Sequence, residues 1–259
     1  HRLETWNRSL GRPEGFLQTT IADLQGFYDQ YYVPANLSLI VVGGLSTEQI
    51  LAEIGQSPFG LRKIGQRNQI PEPFSKLFPP TEQLLEVKYS DYVKLQVDSV
   101  EYKATWAFPL GFSDQVLRVF NRVLNEILFK EVREKRSLAY SINATCYYFL
   151  DVYEYQVSGK IDPKAISIID SLVRFCLEAI SHQRELFDRK LDYYRKSCSL
   201  LDLSGSRLAE NLADSLSCYH RPITLSEIAE NFAKVNFDQM VKVAELLSAD
   251  RQFTRLIMP

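Results

Sequence analysis

A proline-rich break constrains this chain more than any other feature. Residues 55–80 hold Pro58, Pro71, Pro73, Pro79 and Pro80, five of its 11 prolines, together with Gly55, Gly60 and Gly65. Proline fixes φ and removes a main-chain donor, so such a stretch cannot continue a helix or sit inside a sheet. It predicts an extended linker over 56–80. The linker divides the 259 residues into a short front piece, 1–55, and a long back piece, 81–259. The back piece alone is long enough to bury a core without disulfide or metal staples.

Composition enters by exclusion. Lys+Arg number 30 against 32 Asp+Glu, a net charge of −2, and the basic residues are scattered among acidic ones. A nucleic-acid face driven by counterion release is not expected. The longest apolar run, Leu37 to Leu45, is far short of a bilayer span, so the chain reads as soluble with no membrane span. Cys146, Cys176, Cys198 and Cys218 include no CxxC pair. They read as buried thiols rather than a redox or zinc motif, which favours a reducing compartment such as the cytoplasm. His1 in place of Met, with Arg2, Glu4 and Arg8 around it, reads as a trimmed or cut start.

The front piece reads helix, strand, helix. Thr20 with Asp23 at N3 predicts a capped helix carrying Leu24, Phe27, Tyr28 and Tyr31, which Pro34 stops. Leu37 to Val42 predicts a buried strand closed by Gly43-Gly44, and Ser46 with Gln49 opens a second helix. One strand and two helices do not close a core, so this piece reads as the tail of a larger domain.

In the back piece, Leu84 to Val97 and Tyr102 to Phe108 are strand-like. Ser113 caps a helix whose face is Val116, Leu117, Phe120, Val123, Leu124, Ile127 and Leu128. Leu138–Tyr148 and Tyr153–Lys160 predict a hairpin turning near Leu150-Asp151. Asp162-Pro163 predicts a helix start, and helices follow over 163–181, 185–202, 206–219, 225–233 and 237–247, with Thr224 and Glu227 capping the fourth. Phe253 to Met258 closes as a strand. Strands first and helices later imply an α+β fold, a two-layer sandwich of a largely antiparallel sheet with helices on one face.

Two passages carry a family resemblance. Thr20 to Gly43, with Tyr31-Tyr32, Pro34 and Asn36 ahead of an apolar strand, resembles the passage that ends the first repeat of the insulinase and pitrilysin family of zinc metallopeptidases. Arg133-Glu-Lys-Arg-Ser-Leu-Ala-Tyr-Ser141 is similar to the Arg-Glu-x-x-Gly-Leu-Ala-Tyr-Ser passage of the second repeat, especially in the mitochondrial-processing-peptidase-like branch. The resemblance implies that 1–55 is the tail of a first peptidase repeat, 56–80 a linker and 81–259 a second, inactive repeat of the processing-peptidase type. It further implies a non-catalytic portion that encloses and orients a peptide substrate at a zinc site. That site would lie in a missing N-terminal region or on a zinc-bearing partner subunit of the same family. No cofactor is expected in this chain itself, because the family's His-x-x-Glu-His motif is absent.

His182-Gln-Arg-Glu185 begins like the zinc motif, but Leu186 follows where the second histidine is needed. Cys218 and His220, with Cys198, form a second candidate ligand set, against the plainer reading of structural thiols beside a surface histidine. The resemblance assigns substrate-binding and transition-state support to Arg133 and Tyr140, a guanidinium and a phenol that can donate to a developing oxyanion. Without it, Arg133 is one of several cations complementing a helix C-terminus and Tyr140 one of several strand tyrosines. Ser137 stands where the family has glycine, so a turn needing φ > 0 there would be strained. The same fold also serves as a non-catalytic structural subunit, as in the core proteins of the respiratory cytochrome bc1 complex. Association with a second copy of the chain is a further expected partnership.

Overall fold

A computed structural model describes residues 13–66, 98–109, 111–149, 152–200, 204–219, 221–249 and 253–258. The segment predicted as strand over 84–97, most of the linker, His1 and His220 lie outside the described residues. The chain divides into two compact units, 1–70 and 71–259.

In the first unit, helix α1 spans Pro13–Gln18, α2 Ile21–Tyr31 and α3 Thr47–Gln56. Both predicted caps form: Thr20 and Asp23 close a capping box at α2, and Ser46 and Gln49 close one at α3. Pro34 begins a short 3-10 turn where α2 ends. Neither α2 nor α3 buries a residue. The aromatic side chains stack on one another instead, Phe27 on Tyr31 at 4.5 Å and Tyr28 on Tyr32 at 5.0 Å. Arg62 folds back onto them, its guanidinium 4.6 Å from the Tyr28 ring centre and its Nη1 donating to the Tyr28 hydroxyl at 2.8 Å. Gly65, at φ +71, lies so close to Val33 that a Cβ there would meet its side chain at 2.7 Å.

The predicted strand Leu37–Val42 is a correction. These residues form no ladder among the described residues, and Leu37, Leu39 and Val41 are exposed while Ile40 and Val42 are half-buried. The apolar run is that of a buried strand, but strand structure needs a neighbour to take its N–H and C=O groups, and none among the described residues pairs with it.

The second unit mixes helices with a small sheet. Strands β1 (Val100–Pro109), β2 (Asn143–Phe149), β3 (Val152–Ile161) and β4 (Phe253–Met258) form one antiparallel sheet in the order β2-β3-β1-β4. The hairpin and the last strand were legible; the predicted strand start at Leu138 moves to Asn143. Val100, Tyr102, Ala104 and Trp106 of β1 and Tyr155, Val157 and Ile161 of β3 are buried, while the residues between them are half-buried or exposed. Helix α4 (Asp114–Leu128) is capped by Ser113 and buries its whole predicted stripe. Phe120 meets Tyr155 edge-on at 5.4 Å.

After β3 the predicted helix 163–181 is interrupted. Asp162 caps only a 3-10 turn, Pro163–Ala165, its Oδ1 accepting from Lys164 N at 2.8 Å. Ile168, at φ −123 and ψ −11, breaks the run before α5 (Ile169–Glu178), and a 3-10 turn, Ala179–His182, ends it. Then come α6 (Arg184–Leu200), α7 (Gly205–Tyr219), α8 (Leu225–Ala233) and α9 (Phe237–Ser248). Capping boxes Thr224/Glu227 and Asn236/Gln239 open the last two. Asn125 of α4 grips the main chain of the outer strand β2: its Nδ2 donates to Ala144 O at 2.9 Å and its Oδ1 accepts from Ala144 N at 2.6 Å.

Candidate functional site

The segment from Phe129 to Ile142 carries both predicted site residues. Helix α4 does not end as an α-helix: Phe129–Glu134 is a π-helical turn, a form met disproportionately at functional sites. Its buried Val132 anchors it to the core. Ser137 N donates to Arg133 O and Leu138 N to Val132 O, both at 3.0 Å, which closes the helix end in the manner of a Schellman motif widened by one residue. Ser137 sits between these bonds at φ +53. The turn therefore does require the left-handed region, and serine adopts it at a cost of roughly 1–2 kcal/mol that glycine would escape.

Beyond the turn, the chain runs along the end of β3 without joining the regular ladder. Ala139 bridges Ile161, Tyr140 N donates to Lys160 O at 2.8 Å, and Asp162 N donates to Leu138 O at 2.9 Å. Ser141 takes Lys160 N onto its hydroxyl at 3.2 Å. This crossing is possible only because residue 159 is glycine. A Cβ there would stand 2.0 Å from Ser141 O. Tyr140 precedes the strand rather than beginning it, and its side chain is 61% exposed.

Cations around Arg133 are sorted by one carboxylate. Glu131 accepts from Lys135 Nζ at 2.6 Å and from Arg136 Nη1 at 2.8 Å, and Arg136 also reaches Glu131 O at 2.6 Å. The hydrogen bond from Lys135 and then that from Arg136 hold the Glu131 carboxyl below its usual range. Arg133 has no carboxylate partner among the described residues; its guanidinium lies 5.1 Å from the centre of the Phe129 ring. Arg133 and Tyr140 thus sit on one short connection, both exposed, and neither bonds the other. Phe129, Glu131 and Gly159 are parts the sequence reading passed over. An aromatic four residues before an arginine on a helix, and a lone glycine inside a strand pattern, are the signals that point to them.

A cleft of about 630 Å³ opens along α4, lined among others by Arg118, Asn121, Arg122, Phe129, Cys146 and Tyr194. It shares Phe129 with the Arg133 turn. Burial pushes the Cys146 thiol up to about 12, so it is no nucleophile near neutral pH. Burial does the same to Cys176. Cys146, Cys176 and Cys198 are free thiols.

No group of three or more His, Cys, Asp and Glu side chains among the described residues could hold a metal ion. His182 ends a 3-10 turn while Glu185 lies in the first turn of α6, so the two do not share a helical face. The side chain of Cys218, like His220, is outside the described residues. The described residues do not fit a zinc centre. What Arg133 and Tyr140 offer is two exposed donors suited to a carbonyl oxygen.

The second unit is thus a mixed domain of helices with a small antiparallel sheet, carrying two exposed donors on one connection. Residues 18–190 match the family model described as the peptidase M16 inactive domain, and the chain belongs to that family, the insulinase-type peptidases. Among solved structures it is similar to a protease from Helicobacter pylori (TM-score 0.75, 20% identity, 96% of this chain and 61% of that one). A peptidase M16 inactive domain from Pseudomonas fluorescens is also similar (TM-score 0.75, 15% identity, 95% and 59%). So is the periplasmic protease PqqL from Escherichia coli (TM-score 0.67, 15% identity, 95% and 28%). The chain therefore spans about three fifths of the first two and under a third of the third. A search of curated protein sequences gave no match. No helix among the described residues is long and apolar enough to cross a membrane.

Proposed function

We propose that this chain is the non-catalytic C-terminal portion of a zinc metallopeptidase of the M16 family, built on the processing-peptidase plan. In this reading residues 1–55 complete a first repeat, 81–259 form the inactive second repeat, and the metal belongs to a catalytic repeat or partner subunit. The sheet and its helices act as two layers. The polar side of the sheet, where Lys103 pairs with Glu154 at 3.9 Å and Gln156 donates to Ser158 at 2.7 Å, makes one wall of a peptide-enclosing chamber. The bound metal would polarise the scissile carbonyl, while Arg133 and Tyr140 hold the peptide and donate to the oxyanion that develops.

One observation carries this reading. On a turn crowded with cations, Glu131 ties down Lys135 and Arg136, whereas Arg133 stays exposed and uncommitted to any carboxylate among the described residues. A helix-end cation serving stability alone has no need of such sorting.

The test supplies the zinc-bearing repeat or subunit and follows cleavage of a quenched fluorescent peptide. Loss of an oxyanion donor costs about 10²–10³ in kcat, so Arg133→Ala and Tyr140→Phe should each fall by that order with an unchanged melting temperature. Cleavage equal to the parent's in both variants would show that the pair is structural.

A further inference from the structure

We infer that Phe129 is a positioning residue for Arg133, an inference that rests on the role given to Arg133 above. Its ring is the rest on which the guanidinium lies, aimed outward, in the unliganded chain.

Three observations converge on it. The guanidinium carbon stands 5.1 Å from the Phe129 ring centre, within the reach of a cation–π contact. Residues 129 and 133 are four apart on the same π-helical turn, the spacing that stacks side chains on one helical face. The main chain beneath Arg133 is pinned twice, by buried Val132 before it and by its own carbonyl, which accepts from Ser137 N at 3.0 Å. With the backbone fixed, the remaining freedom is in the long arginine side chain, and that freedom is what the ring removes.

Chemistry favours an aromatic rest over an acidic one. A carboxylate beside Arg133 would hold it more firmly but would occupy the N–H groups that a substrate carbonyl needs. A ring face attracts the cation through its quadrupole and leaves those donors unspent. Glu131 completes the arrangement by drawing away Lys135 and Arg136, so neither competes for the ring. Phe129 is itself 41% exposed and lines the cleft beside α4, so its identity is not dictated by the core.

The experiment uses the full chain labelled with ¹⁵N, with the Arg133 Nε–Hε signal assigned through Arg133→Lys. In the parent, the ring should displace that signal upfield of the arginines that lie over no ring, a set that leaves out Arg62 and Arg184. Phe129→Leu should abolish the displacement and lower the stacked population about two- to fivefold. Phe129→Tyr, which keeps the ring, should retain it. A parent signal without displacement, or one that Phe129→Leu leaves in place, overturns the inference. Should the leucine variant fail to fold, cross-relaxation between the Phe129 ring and the Arg133 side chain in the parent and in Phe129→Tyr decides it.

With the zinc-bearing partner present, Phe129→Leu should lower kcat less than Arg133→Ala does, and Phe129→Tyr should restore it. If Arg133→Ala lowers cleavage and Phe129→Leu does not, the positioning role fails while the proposed function stands. If Arg133→Ala has no effect although the stacking signature is present, the proposed function fails instead.

Discussion

The two units use the same local grammar and reach different ends. Helix α2 in the first unit and α8 in the second both open with a complete capping box, Thr20/Asp23 and Thr224/Glu227. Both α2 and α4 repeat large apolar residues at helical spacing. Yet α4 buries Val116, Phe120, Val123 and Leu124, while α2 leaves Ile21 85% and Phe27 57% exposed. Capping decides where a helix begins and contributes about 1 kcal/mol. Whether a helix persists is decided by what covers its apolar face. The first unit has the signals for structure without a covering surface among the described residues; the second has both.

The sharpest way to break this contrast is to delete one aromatic side chain from each unit. Phe120→Ala should cost about 3–5 kcal/mol, because a fully buried ring packed on Tyr155 leaves a cavity. Phe27→Ala should change stability by under about 1 kcal/mol, since the residue is 57% exposed and its ring lies against the exposed Tyr31 and Tyr32. Urea unfolding followed by circular dichroism reads both. A Phe27 loss comparable to that of Phe120 would mean the first unit has a core of its own.

Adding one methyl group is the next step down. At Gly159 a Cβ collides with the Ser141 carbonyl, so Gly159→Ala should cost about 1–3 kcal/mol and disturb the Tyr140 amide signal. At Gly43, where nothing lies within 4 Å, the same substitution should be neutral or stabilise by up to about 1 kcal/mol. Thermal melts with amide spectra check the pair, and a silent Gly159→Ala would remove the crossing as a determinant of where Tyr140 sits.

Acid gives the smallest and most selective effect. Hydrogen bonds from the Thr224 main chain, from Arg221 and from the Thr224 hydroxyl depress the Glu227 carboxyl to about 2, below its usual 4.5. A folded-state value below the unfolded one means that unfolding takes up protons. The cap's contribution is therefore present above about pH 4.5 and lost as pH falls toward 2. Glu227→Gln should flatten the melting temperature of the second unit across that window. The Thr20 hydroxyl likewise lowers Asp23, but Asp23→Asn should alter only helix content, because α2 buries nothing whose melting could report it. A shift of the main transition in Asp23→Asn would show the two units to be coupled.

What could be read beforehand follows the same line between local and non-local causes. Ser46, Ser113 and Thr224 announced helices because a cap and its N3 partner are neighbours in sequence, and Ser113 also faced an apolar stripe that the fold buries. Leu37–Val42 misled because its apolar run is that of a buried strand, yet no strand among the described residues receives it. Asp162-Pro163 marked a real start, but its 3-10 turn ends at Ala165 and Ile168 breaks the run before α5, where no residue type forbids helix. At the site, Arg133, Tyr140 and the strain at Ser137 were legible through the family resemblance alone. The π-helical turn and the crossing over Gly159 were not, since each arises from how one segment is laid across another.

The amide of Asn125 has a consequence for how these chains behave in company. An outer strand offers unused donors and acceptors to any passing strand, and sheets can grow from molecule to molecule in that way. By giving Ala144 both a donor and an acceptor from within its own chain, Asn125 occupies the start of that docking edge. Asn125→Leu would keep the bulk and free both main-chain groups of Ala144, giving the strand of another molecule a first place to pair.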